Sequence, residues 1–247
     1  MPMKTVLPSI LLGALAGTAL AQLPAPKPIF DARLTLKPGS LTEAERDLVK
    51  SRIAPAARKH WQEGGRAALC IPLQELRAID VTSGAFTRPQ AEQRAILYSY
   101  CEIGHNVDLD GIAIVEDGQV VAHLVFEGAA HTAIGALPDL NGNGLAEIVL
   151  ASGETNMGET WGALSIIEIA GAGVTAFGHT GTFSDNCGAG EKDCRAEATR
   201  ILARPGAKPA FFREMFTRAG DAGAWKKTAA LVPLTLQEDQ TEYELLP

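Results

Sequence analysis

The sequence predicts a mainly β (α+β) protein: an antiparallel β-meander, built as an open propeller-like sheet or a two-sheet arrangement, with a short helical region near the N-terminus. Three observations carry this. From Gly111 onward, short apolar and β-branched runs recur about every ten residues, the spacing of consecutive strands joined by tight links. Between them stand turn signals: Asp117-Gly118, Gly171-Ala172-Gly173, Pro205-Gly206, Gly220-Asp221-Ala222-Gly223 and Glu238-Asp239. The main helix signals sit apart from these, ahead of residue 64.

Taken in order, the chain opens on Met1-Pro2-Met3-Lys4-Thr5, followed by a mostly apolar run from Val6 to Ala21 that ends Ala19-Leu20-Ala21. One early positive charge, a short apolar core and a small-x-small end read as a secretory signal over residues 1–21. The run is short for a membrane span, which takes ~20 apolar residues, and no other stretch is long enough. Cleavage after Ala21 leaves 226 residues and moves the net charge from −7 to −8, since one Lys and no acid is lost. That balance argues against nucleic acid and anionic membrane as partners. The expectation is a periplasmic or extracellular protein with no membrane span after signal removal.

Residues 22–40 carry Pro24, Pro26, Pro28 and Pro38 and read as an extended leader. Residues 41–102 form a helical and mixed region. Thr42 with Glu45 makes a capping box, and Leu48, Val49 and Ile53 continue a helical stripe. Pro55 ends or restarts that helix, which resumes through Trp61 until Gly64-Gly65 breaks it. Residues 67–71 and 76–81 read as short strands, 89–95 as one or two helical turns, and 96–101 as a strand. Residues 103–247 are the antiparallel β region. Ile112–Val115 and Val120–Phe126 flank Asp117-Gly118 as a hairpin. Further strands are expected at 131–137, 147–151, 163–169, 174–182, 195–203, 210–217, 228–236 and 241–246.

Cys70, Cys101, Cys187 and Cys194 are the four cysteines. An even count in an exported chain reads as two disulfides. Cys70–Cys101 and Cys187–Cys194 are the favoured pairs, because near neighbours segregate into two regions. A four-cysteine zinc site is the rival and lacks the usual Cys-x-x-Cys spacing.

The stretch with the most chemistry is Leu137–Leu150. Asp139, Asn141, Asn143 and Glu147 fall at relative positions 1, 3, 5 and 9, so alternate oxygen-bearing side chains can turn to one centre. Gly142 and Gly144 permit positive φ, and the Leu145 carbonyl can add a fifth oxygen for a hard cation. These residues resemble the calcium loops of FG-GAP and VCBS repeats, which follow roughly Asp-x-Asn/Asp-Gly-Asp-Gly-x-x-Asp and open a strand. The resemblance implies Ca²⁺ in a structural role over residues 139–147. Asn143 and Glu147 replace acids of that pattern, which leaves two formal charges and a weak site. An EF-hand fits less well, because position 12 is Leu150 rather than Glu. A plain Asn-Gly-Asn-Gly turn, its side chains capping their own backbone, is the competing reading. Ten strands and one such loop are too few for a closed propeller.

Other candidates are sparser. None of His60, His105, His123, His131 and His179 stands in His-x-His, His-x-x-x-His or His-Glu-x-x-His spacing. His105 precedes Asp108 and Asp110, as an acid–base pair or a second metal site, or simply as a polar loop entering a strand. His123 and His131 flank residues 127–130 and can face each other across a hairpin. Ser184-Asp185-Asn186 stands without Ser-x-x-Lys or Lys-Thr-Gly, so a β-lactamase-type site is rejected. Gly-x-Ser-x-Gly is absent as well. Residues 154–162, with Met157 and Trp161, offer a contact loop.

These observations favour an exported non-catalytic β-protein with one weak Ca²⁺ loop, working in binding, adhesion or the envelope, with an unknown protein or glycan partner. The alternatives are a secreted hydrolase of an envelope polysaccharide or phosphoester using Asp139, Glu147, His105 and Asp110, and an inhibitor or sensor of another secreted protein.

Overall fold

Two antiparallel sheets divide the chain between them. The computed structural model describes residues 24–247 apart from 35, 37, 71–75, 172, 190–192 and 222. The expected signal segment 1–21 and the end of the expected strand at 67–71 lie outside those residues. The first sheet holds β2 (Arg77–Gly84), β3 (Gln93–Gly104), β4 (Val107–Glu116), β5 (Gln119–Ala129) and β14 (Tyr243–Leu245), in the order β14-β5-β4-β3-β2. The second runs β6 (His131–Ala136), β7 (Ile148–Asn156), β8 (Glu159–Ala170), β9 (Gly173–Asp185), β10 (Arg195–Arg204), β11 (Ala210–Ala219) and β12 (Lys226–Lys227). β1 (Lys27–Asp31) pairs with β10, and β13 (Val232–Leu234) pairs with β11. The mainly β, antiparallel reading therefore holds, in its two-sheet form.

Local chemistry explains most elements. Asp117 and Gly118 take φ 49° and 73° at the β4–β5 link, the left-handed pair that a two-residue hairpin needs. Thr42 and Glu45 form the expected capping box at the head of α1 (Glu43–Leu48). Pro55 does not end the helix. A π-helical turn over Val49–Ile53 leads directly into α2 (Ala54–Glu63), with the proline in the first turn of α2. There its missing N–H costs little.

Several local expectations fail, among them the strand at 228–236, of which only Val232–Leu234 is strand because residues 228–231 leave the ladder. Residues 66–69 form a 3₁₀ turn rather than a strand. The expected helical turns at 89–95 give way to a short turn and then β3 from Gln93, whose side chain accepts from the Phe86 and Thr87 N–H groups at 2.8 and 2.9 Å. Burial in the sheet outweighs the helix propensity of that segment. Within the Pro-rich leader, Lys27–Asp31 is a paired edge strand, a position that tolerates Pro28. Both favoured disulfides, Cys70–Cys101 and Cys187–Cys194, are formed.

The core has three layers. Ile53, Ala57 and Trp61 of the helical run pack on one face of the first sheet, against Ile96, Tyr98, Leu109 and Val125. Between the sheets lie Leu97, Ile112, Leu124 and Phe126 from one side and Ile148, Leu150, Ile167 and Ile169 from the other. The outer face of the second sheet buries Leu140, Val149, Leu164 and Ile166 against Ile201 and Ala203.

The sheets meet at the edges of β2 and β6, where no strand ladder continues. Instead Asp80 of β2, 4% exposed, accepts from the Ile134 N–H of β6 at 3.0 Å and from the Gly39 N–H at 2.7 Å. Thr82 Oγ accepts from the Ala136 N–H at 3.1 Å. Two side chains thus satisfy the open edge of β6, which would otherwise bury unpaired donors. An irregularity between Ala78 and Asp80 turns the Asp80 side chain toward that edge.

A second buried polar contact pairs the Tyr98 hydroxyl with His123 Nε2 at 2.6 Å, with Tyr98 lying over Gly111, where any Cβ would collide with the ring. Burial drives the His123 pKa down to about 4, and His60 adds a smaller push in the same direction. His123 is therefore neutral in the fold and protonates in the unfolded chain near its ordinary 6.5. The unfolded state binds more protons between those values, so stability falls as pH drops from 6.5 toward 4. The full loss is about 3 kcal/mol. Urea melts across this window are expected to show that slope, and His123→Gln to flatten it. An unchanged slope in the variant would remove His123 as its source.

Candidate metal loop and the cleft at the opposite end

The loop between β6 and β7 is held at both ends. Leu137 N–H donates to the Glu147 carbonyl at 2.8 Å and Gly206 N–H to the Leu140 carbonyl at 2.8 Å. Leu140 and Leu145 are buried. Gly142 and Gly144 take φ 84° and 87°, as the sequence requires of a loop that curls on itself.

Inside this frame the loop's oxygens turn inward, onto its own backbone. The Asp139 carboxylate accepts from the N–H groups of Gly142 at 2.6 Å, Asn143 at 3.2 Å and Gly144 at 2.7 Å. Asn141 Oδ1 accepts from Asn143 N–H at 3.1 Å, and Asn143 Oδ1 from Leu145 N–H at 2.9 Å. Glu147 is fully buried, and its two oxygens accept from Leu140 N–H at 3.1 and 2.9 Å. Glu168 of β8 is the group sequence reading missed. It is 3% exposed, and its Oε2 receives the side-chain amides of both Asn141 and Asn143 at 2.9 Å. It lies 21 residues beyond Glu147, and only the pairing of Ile148 with Ile167 brings it beside the loop.

The charge balance is one-sided. Asp139, Glu147 and Glu168 take part in none of the ion pairs among the described residues. Burial pushes the Glu147 pKa up to about 7, and Glu168 and Asp139 add repulsion. The donor set, three carboxylates and two amides, is hard oxygen of the kind Ca²⁺ takes. The amides turn N–H rather than oxygen toward Glu168, so a half-turn of each is needed before it can ligate. The three carboxylates are not drawn into one tight cluster. Among the described residues, the close trio Cys187, Cys194 and Asp221 has its sulfurs in a disulfide.

The remaining candidates do not assemble as the hydrolase reading requires. His105 is exposed and sits 3.0 Å from Glu154, not on Asp108 or Asp110. Asp108 accepts from Ser99 Oγ at 3.0 Å. His123 and His131 do not face each other: one bonds Tyr98, the other Asp110. Asp139 and Glu147 belong to the opposite end of the β6–β7 pair. Residues 154–162 form the β7–β8 hairpin, with Met157 and Gly158 at φ 51° and 85°. Met157 is 91% and Trp161 43% exposed, so neither is a core anchor.

At the far end of β6 and β7 the space between the sheets opens into a cleft of about 690 Å³. His131, Ser152, Ser165, His179 and Asp239 line it. Asp239 belongs to the C-terminal strap that bonds β9 through Gln237 and His179. His131 Nδ1 lies 2.9 Å from Oδ2 of Asp110, which is fully buried on β4. Burial pushes the Asp110 carboxyl up, while His131 pulls it back down. No helix among the described residues is long and apolar enough to cross a membrane. Comparisons with protein-family models, curated proteins and solved structures find no match for this chain.

Proposed function

We propose that this chain is an exported two-sheet β-protein that works as a binding module and is stiffened by one weakly held Ca²⁺ at residues 139–147. The supporting observation is the set of three carboxylates, Asp139, Glu147 and Glu168, two of them buried and none paired with a cation among the described residues. Asp139, Asn141, Asn143, Glu147 and the Leu145 carbonyl would hold the ion, with Glu168 as the added charge. The ion supplies charge neutralisation and no chemical step. Export is supported by the leader-like N-terminus and by the two disulfides. The exposed Met157 at the hairpin tip and Trp161 along β8 give a protein or glycan partner a thioether and an aromatic contact.

Thermal melting of protein shown beforehand to carry calcium, in millimolar Ca²⁺ and then in excess chelator, tests the metal. Saturation at about 100 times Kd stabilises by about 2.7 kcal/mol, or roughly 5–11 °C for a chain of this size. Equal melting temperatures in the two conditions remove calcium from the reading.

A further inference from the structure

The cleft at the end of the sandwich holds a constellation that the binding role leaves unused. His131 is 8% exposed. Its Nδ1 is taken by Asp110, which fixes the ring, and its backbone N–H also points at the same carboxylate oxygen, at 3.4 Å. With Asp110 accepting at Nδ1, the neutral ring carries its lone pair on Nε2. Nε2 has no hydrogen-bond partner among the described residues and is not among the sealed, unpartnered atoms, so it borders open space. Ser152 of β7 is the ladder partner of His131 of β6, where β6 bulges between His131 and Ala133, and both line the cleft. Side chains of paired residues on neighbouring strands stand about 4.5–5.5 Å apart at Cβ, which places Ser152 beside the imidazole.

We propose that Ser152, His131 and Asp110 form an acyl-transfer site acting on small carboxylic esters. It does not rest on calcium, whose loop lies at the other end of the β6–β7 pair. His131 Nε2 takes the proton of Ser152 Oγ as that oxygen bonds to the acyl carbon. The ester C–O bond breaks, and the leaving alcohol oxygen takes the proton from His131. Water then repeats the sequence on the acyl-serine and releases the acid. Asp110 touches no substrate; it positions the ring and stabilises its charged form. Glu238 and Asp239 line the cleft, Glu127 there is paired with Arg66, and no Lys or Arg is among the described lining residues, so the substrates are uncharged or cationic rather than anionic.

The intact folded protein is treated with a fluorophosphonate and digested, and the modified peptide is located by mass spectrometry. One phosphonyl group is expected on Ser152, with Ser152→Ala unlabelled. His131→Gln is expected to slow labelling by about 100-fold or more while keeping the wild-type circular dichroism. His105→Ala, an exposed histidine away from the cleft, is expected to label at the wild-type rate. p-Nitrophenyl acetate turnover follows the same order. Wild-type protein that takes no label on Ser152 overturns the proposal, whatever the variants do. Labelling that proceeds equally fast in folded His131→Gln overturns it as well.

Discussion

Replacing Asp80 by alanine is expected to cost about 3–5 kcal/mol. Asp80 is nearly sealed from water and serves donors from three segments. Gly39 N–H lies at 2.7 Å, Val81 N–H at 2.7 Å and Ile134 N–H at 3.0 Å. Alanine leaves those donors without an acceptor, and the Ile134 N–H belongs to the edge of β6, which has no strand to pair with there. The sheets would part first at this seam. In thermal melts the loss amounts to roughly 6–20 °C. Asp80→Asn keeps one acceptor and is expected to lose less. If Asp80→Ala unfolds within about 1 kcal/mol of wild type in urea, the seam is held by packing alone.

Glu147→Gln is expected to act in two opposite directions. Without calcium, Glu147 is a buried carboxyl whose pKa is raised from its ordinary 4.5 to about 7. Such a group supports the fold when protonated, so its contribution is present below 4.5 and is lost as pH rises through 7. Near neutral pH the penalty is of order 3 kcal/mol. Glutamine removes it, retains an oxygen for the Leu140 N–H and turns an amide toward the remaining acids. In chelator, Glu147→Gln should therefore melt above wild type, by about 1–3 kcal/mol. The calcium-induced rise should shrink, because one ligand charge is gone. Urea titrations of both proteins with and without calcium give all four values. A variant that melts lower in chelator and keeps the full calcium response would show that Glu147 is an ordinary structural carboxylate.

The loop illustrates how far sequence reading reached. The alternate spacing of Asp139, Asn141, Asn143 and Glu147 points to one shared centre. Their immediate partners, however, are the N–H groups of residues 140 and 142–145, the capping that any Gly- and Asn-rich turn performs. The spacing is common to both readings because a cation loop and a capped turn bend the same backbone. Glu168 adds a third carboxylate beside the loop, and nothing near it in sequence marks it. Likewise His123 and His131 sit either side of a short linker, yet each joins a different residue, Tyr98 or Asp110, more than 20 positions away.

By itself the sequence determined the β-rich class, the hairpin at Asp117-Gly118, the Thr42–Glu45 cap and both disulfide pairs. Those features depend on residues close together in the chain, or on a choice among four cysteines. Tertiary structure alone decided that Asp80 closes the edge of β6, that Glu168 joins the loop, and that Asp110 and Ser152 flank His131. These contacts span 54, 27, 21 and 21 residues respectively. Strand order, register and the docking of one sheet on the other bring such groups together, and hydrophobic burial spread over the whole core fixes those three variables, not any local spacing of polar residues.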